Sequence, residues 1–139
     1  MYDFQESHDT RASIEAVWAI YTQVTGWSRW LPHLTAVQFS GPFESGAAGY
    51  ATVQVGLSQD IPFHLEKVEP FKGFDVVWTI GHLLNTRMMH TLERVNGGTR
   101  ITHAYHTGGV MAPFNFLQAA AAHERVQPAM AEIARLAGG

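Results

Sequence analysis

The chain has 139 residues, the size of one ordinary domain, and with 46% hydrophobic and 15% charged residues it is too apolar for disorder. Its formal net charge of −3 is spread along the chain without a basic patch, which argues against nucleic acid and anionic membrane as partners. The absence of cysteine excludes disulfides, thiol catalysis and cysteine-held metal.

Residues 1–6 carry neither a basic n-region nor an apolar h-region, so no secretory signal is expected. No apolar run approaches the roughly 20 residues needed to span a bilayer, and the expected location is cytoplasmic. Tyr2 and Phe4 alternate with Asp3, Gln5 and Ser7, which predicts a strand over 2–9. Ser13 then caps a helix in which Ile14, Val17, Trp18 and Tyr21 recur at helical spacing, ended by Gly26. Residues 27–32 read as a turn or second short helix stopped by Pro32.

From 34 to 108 the chain changes to β-branched and aromatic runs divided by turn signals. Strands are expected at 34–43, 49–57, 61–68, 74–80, 86–95 and 99–107, with Ser58-Gln59-Asp60 as one of the turns. Meander order makes the sheet antiparallel. The last segment is a long helix opened by Pro113 and containing Pro128, which should kink it. Its apolar stripe runs through Phe116, Ala119, His123, Val126, Met130, Ile133 and Ala137. The expected fold is α+β: one domain over 1–139, a curved seven-stranded antiparallel sheet wrapped around the C-terminal helix, with one or two short helices between strands 1 and 2.

The space between sheet and helix either fills with side chains or stays hollow. Ala119, Ala120, Ala121 and Ala122 leave room there, although alanine also simply favours helix.

The segments Ala12-Ser13-x-Glu15-x-Val17-Trp18, Gly26-Trp27-x-x-Trp30-x-Pro32, Gly41-Pro42-x-x-x-Gly46 and Gly98-Thr99-Arg100-Ile101-Thr102-His103 carry a resemblance. The chain resembles the START-like SRPBCC (helix-grip) superfamily, in its polyketide cyclase/dehydrase and lipid-transport branch. The resemblance covers nearly the whole chain. It implies a cavity between the last helix and the sheet and supplies no universal catalytic residues; no cofactor is expected. That superfamily spans lipid carriers, receptors and cyclases, so it does not choose among functions.

Asn96-Gly97 reads as a two-residue type I′ hairpin turn that pairs Val95 with Gly98. This register sets Glu93 opposite Arg100 and Thr91 opposite Thr102 on one face. On the other it sets Leu92 opposite Ile101, His90 opposite His103 and Met88 opposite Tyr105. The second set is more apolar and should face the cavity. Two histidines then lie side by side, with Cβ atoms roughly 4.5–5.5 Å apart. Apolar burial and mutual repulsion should keep them from both being protonated near neutral pH. Such a pair suits orienting a ligand, or acid/base work in a ring closure, or merely a bonded core pair.

His123 lies on the helix stripe directed toward the same cavity, and three imidazoles can hold zinc; no second-shell acid is evident, and no metal is assigned. Trp18 reads as core, Trp30 and Trp78 as pocket wall, and His33 as a loop residue near an entrance. His64 and His106 should face water; His82 and His8 stay undecided. No nucleophile elbow, phosphate loop, dinucleotide fingerprint or His-Glu-x-x-His run is present.

The leading expectation is binding or transport of a small hydrophobic or aromatic ligand by Trp30, Trp78, Met88, His90, His103, Tyr105, Phe116 and His123. The rival is a cofactor-independent polyketide cyclase or dehydratase using His90 or His103 as acid/base. A third reading is a protein-partner-binding module. Ligand identity and oligomeric state stay open at this point, a homodimer included.

Overall fold

A computed structural model of the chain describes residues 3–55, 57–81, 84–110, 112 and 116–139, the side chains of 55, 57 and 116–118 excepted. The elements run β1 (Phe4–Thr10), α1 (Ile14–Thr22), a 3-10 segment (Val24–Arg29), β2 (Leu34–Phe39), β3 (Ala48–Val55), β4 (Leu57–Glu69), β5 (Gly73–Ile80), β6 (Leu84–Val95), β7 (Gly98–Gly108) and α2 (Phe116–Leu136). All seven strands join one curved antiparallel sheet in the order β1-β7-β6-β5-β4-β3-β2. The expected helix-grip architecture is present.

Local chemistry accounts for most boundaries. The Ser13 side chain accepts a hydrogen bond from the Ala16 N–H at 3.1 Å and caps α1. α1 ends at Thr22 rather than at Gly26, because residues 24–29 tighten into 3-10 turns that bury Val24 and Trp27. At the other end of the chain, Gly138 takes φ 90, and the Gly138 and Gly139 N–H groups bond to the Arg135 and Ala134 carbonyls; this glycine cap closes α2. Pro128 lies inside α2, and Pro113 lies outside the described residues.

The β6–β7 register is the expected one: Val95 pairs with Gly98, Glu93 with Arg100, His90 with His103 and Met88 with Tyr105. The turn type is not. Gly97 alone takes a positive φ, 85°, while Asn96 does not, which are the signs of a type II turn rather than type I′. Gly98 is required for another reason: a Cβ there would stand 1.9 Å from the Thr10 carbonyl oxygen of the neighbouring strand. Arg100 pairs with Asp9 on β1 at 2.8 Å, so its ion pair runs to that strand.

The expected turn at Ser58-Gln59-Asp60 is also displaced. These residues belong to β4, opposite Gln54, Val53 and Thr52. Asp60 accepts from Thr52 at 2.7 Å and Ser58 donates to Gln54 at 2.7 Å, so side chains that read as turn-formers stabilise a cross-strand row. β2 stops at Phe39 rather than continuing to residue 43.

The inner face of the sheet supplies Phe63, Leu65, Phe74, Val76, Leu92 and Ile101 to the core. Val17, Trp18 and Tyr21 of α1 and Val126, Met130 and Ile133 of α2 pack onto them. Among the described residues no helix is long and apolar enough to cross a membrane.

Candidate ligand cavity

The packing is not continuous. Between the sheet and the first half of α2 lies a cavity of about 450 Å³. Trp27, Trp30, Trp78 and Tyr105 supply aromatic wall. Val76, Trp78 and Ile80 alternate inward along β5, while Ala121, Ala122 and Ala129 line it from α2. Small residues on that helix leave the space that larger ones would occupy.

His90 and His103 mark its closed end, each 2% exposed. Their ring centroids are 4.5 Å apart in an edge-to-face arrangement. The His90 ring stacks on Phe74 at 4.3 Å, and its Nδ1–H donates a long, 3.4 Å hydrogen bond to the Phe74 carbonyl. A carbonyl only accepts, so Nδ1 carries the proton and Nε2 keeps its lone pair. His103 Nε2 shares a 2.7 Å hydrogen bond with the Tyr21 hydroxyl, the donor being either the phenol or the ring N–H. Burial lowers His90 to about 3, against the small opposing effect of the Phe74 carbonyl. Burial, and then the neighbouring His90, hold His103 well below the ordinary histidine value, while burial pushes the Tyr21 phenol up. All three are neutral at physiological pH. The closed end is therefore uncharged but polar, able to accept from or donate to a ligand group.

The open end differs. Gln59 is exposed there, and His33 and Arg125 are half-buried. Burial, reinforced by the Arg125 charge, lowers His33 to about 4. His33 Nδ1 and Trp30 Nε1 are buried polar atoms without a hydrogen-bond partner among the described residues.

Trp30, Trp78, Met88, His90, His103 and Tyr105 thus come together around one cavity, as the sequence pattern suggested. The side chain of Phe116 and all of His82 lie outside the described residues. His123 departs from expectation. It does not line the cavity but is half-exposed, with Nε2 2.9 Å from Glu6 and its ring stacked on Phe4 at 4.5 Å. A stripe stepped by 3 and 4 averages 3.5 residues per turn and drifts roughly 20° per heptad from a 3.6-residue helix. Between Met130 and position 123 that drift is only about 20°; the larger cause is that the cavity lies along the Ala122, Arg125 and Ala129 flank of the helix, roughly 100° or more around from His123, which faces β1. Position 125 comes inward beside Ala121 and Ala122 instead. The three histidines consequently do not converge, and among the described residues no group of three His, Asp or Glu side chains could hold a metal ion. His64 faces outward against Glu66 at 2.6 Å.

Two residues of this site escaped sequence reasoning. Tyr21 counted as an apolar helix position, although a buried phenol needs a hydrogen-bond partner, and that need was the available signal. Arg125 was hidden because it lies on the flank of the apolar stripe, beside Ala122 and Ala129.

Solved structures with this architecture are numerous and distant in sequence. Protein MLL2253 from Mesorhizobium loti is similar with a TM-score of 0.75 at 16% identity, over 96% of this chain and 94% of that one. Ara h 8.0201 is similar with a TM-score of 0.71 at 14% identity, over 96% of this chain and 95% of that one. The di-domain ARO/CYC StfQ from the steffimycin biosynthetic pathway is similar with a TM-score of 0.74 at 8% identity, over 96% of this chain and 48% of that one. At such identities the likeness is one of fold. No curated protein matches the sequence. The family model for polyketide cyclase / dehydrase and lipid transport matches residues 1–137, and the chain belongs to that family.

Proposed function

We propose that this protein binds, and holds or carries, a small hydrophobic or aromatic molecule in the cavity between its sheet and α2. The observation that carries the reading is the cavity itself: about 450 Å³, with aromatic walls and a few inward polar groups. Apolar burial supplies most of the affinity, and His90 and His103 orient the ligand. The family description, which includes lipid transport, supports the same reading.

Native mass spectrometry of freshly purified protein, with Ala122→Phe as the comparison, tests it. An added organic mass on the wild type that disappears when the phenyl ring fills the cavity is the expected result. An apo wild type that also takes up no apolar probe in titration would count against the reading.

A second reading is acid/base catalysis of a cyclase or dehydratase type. It is favoured by the Tyr21–His103 hydrogen bond beside the His90 lone pair, since neutral imidazoles in reach of a ligand are acid/base equipment. His103→Ala separates the two. A carrier only loses affinity, whereas an enzyme loses turnover with binding retained.

A further inference from the structure

Arg125 is the only charged side chain among the described residues that line the cavity. Arginine is effectively always protonated, so this wall carries one fixed positive charge. Four of the other six arginines are matched to carboxylates: Arg87 to Glu66 and Asp75, Arg94 to Glu15, Arg100 to Asp9 and Arg135 to Glu132; the remaining two, Arg11 and Arg29, are exposed to solvent. Arg125 makes no ion pair or side-chain hydrogen bond among the described residues. It is nonetheless half-buried, in a protein whose net charge is −3. A partly desolvated guanidinium without a counter-charge has a built-in preference for an anion.

The rest of the wall limits what that anion is. One charge matches a monoanion; among the described lining residues there is no lysine or second arginine to neutralise a dianion such as a phosphate monoester. The guanidinium fork fits a planar carboxylate through two parallel N–H···O bonds. His33 lies on the same wall and offers a buried ring nitrogen without a partner. The deeply buried part of the lining, around His90 and His103, is neutral and aromatic. The ligand is therefore amphipathic, with a fixed orientation.

We propose that the cavity takes a monocarboxylate with an apolar or aromatic body, its carboxylate at Arg125 and His33 on the rim and its body against Trp78, Met88 and the His90–His103 pair. This rests on the ligand-binding reading above and specifies the ligand class.

The test is calorimetric titration with an isosteric pair of probes, 2-naphthylacetic acid and 2-naphthylacetamide. The wild type should bind the acid roughly tenfold or more tightly than the amide. Arg125→Gln should bring the acid-to-amide affinity ratio down to about one, while Arg125→Lys should keep part of the preference. The amide, bound without help from the charge, reports on the cavity alone. Equal binding of the two probes by the wild type would overturn the carboxylate proposal and leave the cavity reading standing. The same holds if the preference survives in Arg125→Gln. Failure of both probes to bind would overturn the two together. Arg125 has no ion-pair or side-chain hydrogen-bond partner to lose among the described residues, and an unchanged unfolding midpoint for Arg125→Gln checks that the variant is folded.

Discussion

The two halves of α2 lie against the same protein and do opposite work. The second half sends Met130 and Ile133, both fully buried, into a packed core with α1 and the sheet. The first half presents Ala121, Ala122 and Arg125 to a space that protein does not fill. The difference lies in side-chain volume along one helix. Under the proposed function the helix divides stability from binding: large apolar residues where the fold must hold, and alanines with one arginine where the cavity lies.

Substitutions sharpen that contrast. Ile133→Ala, in the packed half, should cost about 2–5 kcal/mol in urea unfolding, because it leaves a void among residues that relax only partly. A cost below about 1 kcal/mol would mean that the two halves are not so different. Tyr21→Phe should cost about 1–3 kcal/mol by leaving the buried His103 ring without its partner. It should also alter binding, since Tyr21 joins the packed half to the closed end of the cavity.

Acid provides a third probe. His90 is lowered from the ordinary 6.5 to about 3 by burial, and His103 is lowered in the same direction. Between those values the folded protein binds fewer protons than the unfolded chain. Stability is therefore complete above about pH 6.5 and falls as pH drops toward 3, by up to about 1.4 kcal/mol per pH unit for each buried histidine. Unfolding measured across that window should give this slope, and His90→Gln should flatten it. A flat wild-type profile would indicate imidazoles that are wet rather than buried. The smallest effect belongs to the outside of the helix. His123→Ala removes a half-exposed pair with Glu6 and should leave the unfolding midpoint almost where it was, with uptake of an apolar probe unchanged.

The part of the cavity built by β5, β6 and β7 was legible in the sequence because strand alternation is local and strict. Once a two-residue turn followed Val95, His90 had to meet His103 and Met88 had to meet Tyr105. The turn's type was misread without harm, since type II and type I′ turns of equal length keep the same register. The α2 side was less legible, because an apolar stripe shows which face is buried but not which flank of it meets the cavity: the cavity lies on the Ala122, Arg125 and Ala129 flank, away from His123. The Tyr21–His103 bond joins residues 82 positions apart and exists only after α1 has docked. The row of Ser58, Gln59 and Asp60 was ambiguous for another reason: the groups that close turns also pair across strands.

Three of the four tryptophans, Trp27, Trp30 and Trp78, border the cavity, whereas Trp18 lies in the packed core against Phe43 and Phe74. The Trp30 indole N–H has no acceptor among the described residues. Indole emission follows the polarity and hydrogen bonding around the ring, so under the proposed function a ligand that enters the cavity should shift the protein's own fluorescence and register without a label.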